Sequence, residues 1–112
     1  MFYLIIHLEN EDYEQELLLA MASAGILDAI VLPGTSAREM MAGALPIFAG
    51  FRADLTRRGK YAKLIAAIVP DDHAVDRILD GLKGADIDFI GKNIGSMALL
   101  PVARVVDADY GG

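Results

Sequence analysis

An α+β domain of β-α-β-β-α-β order, with an antiparallel sheet and both helices on one face, is the fold class this sequence predicts. Three observations carry it. Apolar, β-branched runs are followed by segments whose apolar residues recur at helical spacing, this strand–helix–strand unit occurs twice, and the two units are of similar length. No linker or low-complexity stretch divides the 112 residues, so 1–112 reads as a single domain. A content of 54% hydrophobic and 23% charged residues excludes a disordered chain.

Residues 2–8 are rich in aromatic and β-branched side chains, which predicts the first strand, and the carboxylates of Glu9, Glu11 and Asp12 suit the helix start that follows. Tyr13, Leu17, Ala20, Met21 and Ala24 keep helical spacing, which predicts a helix over 11–24 with Gly25 as its cap. Residues 26–32 form a second apolar strand, closed by Pro33-Gly34. In the connection 34–60, Ser36-Ala37-Arg38-Glu39 fits a capping box continued by Met40, Met41, Ala44 and Leu45. Gly43 and Pro46 interrupt that pattern, and Pro46 opens a second helical piece with Phe48, Phe51 and Leu55 on one side. The third strand is 61–69, and Pro70-Asp71-Asp72 breaks it and caps a helix carrying Val75, Ile78, Leu79 and Leu82, which ends near Gly84. Residues 87–90 read as a short strand or an extended link. The last strand is 97–106, where Pro101 implies an edge position or a bulge. The order is that of ferredoxin-like domains.

The strands barely alternate: Phe2, Leu4 and Ile6 face one way and Tyr3 and Ile5 the other, and the third strand is apolar on both sides. Two helices cover only one face, so a homo-oligomer packed sheet to sheet is expected. The net charge of -6 disfavours a general nucleic-acid binder. The absence of cysteine excludes disulfides and thiolate metal sites. The opening apolar run lacks a basic region and stops at His7 and the acidic run that follows, so neither a signal peptide nor membrane insertion is expected, and the cytoplasm is the expected location.

Against this acidic background, five of the ten Lys and Arg residues, Arg52, Arg57, Arg58, Lys60 and Lys63, fall in one stretch opposed only by Asp54. Such a cluster can hold a phosphate or carboxylate, and it can equally be a solvated loop face. The connection containing it is long and rich in Met and Phe, which suits docking on a neighbour or a ligand.

The layout resembles the PII-like signalling proteins, ferredoxin-like trimers related to the nitrogen-regulatory PII proteins and, more distantly, to the CutA proteins. The residues that carry the resemblance are Glu11-Asp12-Tyr13, Pro33-Gly34-Thr35, the run 46–52, Tyr61-Ala62-Lys63 and the run 100–105. It spans nearly the whole chain. It implies a homotrimer that binds a small anionic effector, with ATP, ADP and AMP among the candidates, between neighbouring subunits. It also implies a connection, here 34–60, that docks on a protein target. Lys63 matches the terminal lysine of the phosphate loop G-x-x-G-x-G-K, while Ala62 stands where that pattern has its last glycine.

The ligand-binding candidates are therefore Arg58, Gly59, Lys60 and Lys63, with Arg104 and the N–H groups of Gly34 and Thr35. Gly91-Lys92-Asn93-Ile94-Gly95-Ser96 is either a second anion-binding turn or, more simply, a flexible turn before the last strand. A metal site joining His73 to Asp71 and Asp72 is outweighed by helix capping, and the carboxylates in 9–16 read as the wet face of a helix start. No Ser-His-Asp or Cys-His set can be assembled, so no catalytic residues, metal or cofactor are expected. A regulatory module that is not an enzyme is the leading reading, with an oligomeric adaptor that binds no ligand as the alternative.

Overall fold

The structure, a computed structural model, describes residues 1–37, 40–41 and 61–107. In chain order it contains β1 (Phe2–Leu8), a 3-10 turn (Glu11–Tyr13), α1 (Glu14–Ser23), β2 (Ile30–Thr35), β3 (Tyr61–Val69), α2 (Ala74–Gly84) and β4 (Gly95–Pro101). The strands pair antiparallel in the order β2-β3-β1-β4, the ferredoxin-like arrangement. Leu4, Ile6 and Leu8 of β1 and Ile65, Ala67 and Val69 of β3 form the inner face, packed in one cluster with Leu17, Ala20 and Met21 of α1 and Ala74, Ile78 and Leu82 of α2. Each fully buried Leu or Ile contributes about 1.5–3 kcal/mol. The helices meet closely at small residues, since a Cβ on Gly81 would lie 3.6 Å from that of Ala20.

Both helices start and stop in the same way. Asn10 accepts the Asp12 N–H through Oδ1 at 3.1 Å ahead of α1, and Asp71 accepts the His73 N–H at 2.9 Å ahead of α2. At the exits, Gly25 N–H donates to the Ala22 carbonyl and Ile26 N–H to Met21, while Asp86 N–H donates to Lys83 and Ile87 N–H to Leu82. These are paired Schellman caps, with φ of +89° at Gly25 and +64° at Asp86. Each matched pair, Asn10 with Asp71, Met21 with Leu82 and Gly25 with Asp86, is separated by 61 residues. In the closing strands the separation is 68: Val31 stands opposite Ile65 as Leu99 stands opposite Leu4. The second helix-to-strand connection is therefore seven residues longer than the first.

Two strand boundaries differ from the sequence reading. The second strand was expected over 26–32 with Pro33-Gly34 as its stop, yet β2 runs Ile30–Thr35 and includes both. It is an edge strand, where a proline without an N–H is tolerated, and Ile26 is instead drawn into the α1 cap and buried. The last strand was expected over 97–106, whereas β4 is Gly95–Pro101, after which the Val102 N–H reaches the Met1 carbonyl. Pro101 does sit on an edge strand. Residues 87–90 are a link and turn rather than a strand.

The outer face of the sheet is largely apolar, with each strand contributing to it and His7 and Ser96 at one end. Its rows are Ile68, Tyr3 and Leu100, then Ile30, Ala66, Ile5 and Ala98, then Leu32, Leu64, His7 and Ser96. Ile30 is 62% exposed, Leu32 50% and Leu100 45%. Among the described residues no helix is long and apolar enough to cross a membrane. Of the connection 34–60, Met40 is helical and its N–H donates to the Ser36 carbonyl at 3.1 Å. The expected Arg38 and Glu39 contributions and the helical piece from Pro46 lie outside the described residues.

Candidate functional site

Strand register decides which candidates meet. Lys63 pairs with Leu8 on one side and Pro33 on the other, and Leu8 pairs in turn with Gly95. Gly34, Thr35 and Lys63 therefore share one end of the sheet with the start of β4 and the β1–α1 turn. β2 is an edge strand, so of the consecutive Gly34 and Thr35 N–H groups one points away from β3, where it can donate to a ligand. Arg58, Gly59 and Lys60 lie outside the described residues.

Arg104 does not join this group within one protomer. It follows Pro101, which pairs with Phe2 at the opposite end of the sheet. The seven residues of β4 separate it from Lys63 by about 20 Å along the strand direction.

Lys63 occupies an inner-face position, in line with Ile65, Ala67 and Val69, and so projects toward the helix layer. There its Nζ donates to Glu14 Oε1 at 2.6 Å, with the two side chains 26% and 25% exposed. Glu14 sits in the first turn of α1, where the helix N-terminus favours a carboxylate. Read from the sequence as part of a wet helix face, Glu14 is instead the counter-charge of the principal candidate cation. Nothing local signals this pair, because its members are 49 positions apart and meet only through the sheet register.

The turn from Gly91 to Ser96 is ordered by backbone bonds. Lys92, Asn93 and Ile94 donate their N–H groups to the carbonyls of Asp88, Ile90 and Phe89 at 2.9, 3.1 and 3.2 Å. Three consecutive donors that an anion-binding turn would use are thus already engaged. The Ile94 carbonyl accepts the Glu9 and Asn10 N–H groups, clamping this connection to the β1–α1 turn. The turn is a structural closure of the sheet end.

Asp71 closes the turn ahead of α2 by accepting the His73 N–H, while the helix's own N-cap residue, His73, makes no side-chain cap bond. The Asp71 carboxyl is held below the usual aspartate value, first by the His73 backbone N–H and further by Arg77, whose guanidinium lies 3.1 Å away. His73 Nε2 is 3.5 Å from Asp72, with both side chains largely in solvent. Among the described residues no cluster of three potential metal ligands occurs.

No protein-family model matches the chain, and no curated protein does. Solved structures do. A CPII from Thiomonas intermedia K12, bound to ADP and bicarbonate, is 18% identical over 92% of this chain and 88% of its own, with a TM-score of 0.50. Arabidopsis thaliana PII, bound to citrate, is 21% identical over 99% of this chain and 86% of its own, with a TM-score of 0.52. The fold of this chain is PII-like.

Proposed function

We propose that this protein is a regulatory, non-catalytic module that binds a small anionic effector at clefts between the subunits of a homotrimer. In this reading it acts in the cytoplasm and passes the state of the cleft to a protein target through the connection 34–60. The observation that carries the proposal is the largely apolar outer sheet face, to which every strand contributes and which is suited to burial against other copies. Copies packed in that way also offer the means to bring Arg104 of one subunit toward Lys63 of another, which a single chain keeps about 20 Å apart. The ligands of the two structural neighbours, ADP with bicarbonate and citrate, are all anions, which supports the effector class.

Sedimentation combined with calorimetry tests this reading. ADP, bicarbonate and citrate are titrated into wild type and Lys63→Ala at micromolar protein. The expected outcome is an assembled species that binds at least one of them, with affinity reduced tenfold or more in the variant. A stable lone protomer, or an assembly that binds none, defeats it. The second result matches an oligomeric adaptor, a reading favoured by the observation that Glu14 already neutralises Lys63.

A further inference from the structure

The Lys63–Glu14 pair bears directly on how an anion could be received. A lysine at the start of a strand ordinarily extends its ammonium into water along the side chain's apolar stem. Here Lys63 faces the helix layer and donates to a carboxylate at 2.6 Å, with about three-quarters of each side chain covered. The carboxylate belongs to the first turn of α1, so the aligned N–H groups of the helix start hold its negative charge in place. The pair also ties two elements that have no strand pairing in common, β3 and α1.

We infer that Glu14 is an internal competitor for the anion site. An anion gains Lys63 by exchanging with the Glu14 carboxylate, so Glu14 sets the affinity threshold of the site without touching the ligand. This inference rests on the anion-binding reading above and deepens it. It makes Glu14 a positioning residue: it acts through Lys63, and each binding event releases the link between β3 and the first turn of α1.

The test measures inorganic phosphate and ADP binding to wild type, Glu14→Gln, Glu14→Asp and Lys63→Gln, with thermal unfolding as a check on folding. Glutamine keeps the size of the side chain and removes its charge, and should tighten binding about two- to fivefold, the range expected for a partly exposed pair. Aspartate retains the charge on a shorter stem and should give a smaller gain, and Lys63→Gln should weaken binding. Amide resonances of residue 14 should shift when phosphate is added to wild type, a response that a merely structural ion pair does not give. Binding that appears in Glu14→Gln but not in wild type also supports the inference. Unchanged or weaker binding in both Glu14 variants, with loss in Lys63→Gln, overturns the competitor role and leaves the anion site standing. Wild-type affinity in Lys63→Gln, or no binding in any protein, overturns both.

Discussion

The two strand–helix–strand halves share one plan and part company at one end of the sheet. From strand start to helix exit, residues 61 positions apart hold equivalent places: Leu4 and Ile65 on the inner face, Leu17 and Ile78 in the helix core, Gly25 and Asp86 at the exits. The same equivalence matches Lys63 with Phe2 and Glu14 with Val75, both apolar and partly buried. One end of the sandwich therefore carries an ion pair where its counterpart carries hydrocarbon. The seven additional residues between α2 and β4 lie at the charged end. The repeat supplies a symmetric frame, and its departures mark where this chain does something that a frame alone does not require.

The largest expected effect tests the symmetric part. Leu17→Ala and Ile78→Ala each remove a fully buried aliphatic side chain from equivalent sites and should each cost about 3 kcal/mol in urea unfolding. A difference above about 2 kcal/mol between them would break the equivalence. The next effect probes the asymmetry. A Cβ at Gly95 would collide with the His7 carbonyl, so Gly95→Ala should cost about 2–3 kcal/mol and raise amide exchange along β4. The position 68 residues earlier, Leu27, is 78% exposed and outside β2, so Leu27→Ala should change stability by less than about 0.5 kcal/mol. The smallest effect compares the helix exits. Gly25→Ala should lose about 1 kcal/mol, because alanine strains a φ of +89°, and Asp86→Gly should gain about 0.5 kcal/mol by relieving a φ of +64°. Both are measured by thermal unfolding.

Much of this frame was legible in the sequence. Helical spacing and polar starts identified both helices, apolar runs identified the strands, and lack of alternation in β1 and β3 foretold a largely apolar outer face. Gly25 announced its cap, whereas Asp86 did not, since aspartate only occasionally adopts a positive φ. Pro33-Gly34 misled because the usual strand-breaking argument applies to central strands, and β2 is an edge. The site was less legible than the fold. Lys63 stood out by charge clustering, but its partner Glu14 and its distance from Arg104 are products of register, which no local pattern encodes.

The contact between Ala20 and Gly81 has a consequence for the sheet beneath it. With so little side chain between them, the helices draw together like a narrow roof over β1 and β3, where Leu4, Ile6 and Ile65 are wholly sheltered. Val31, Met97 and Leu99 of β2 and β4 lie under the eaves and stay partly wet. Water should enter this sandwich from its sides, leaving the central pair as the last part to come undone.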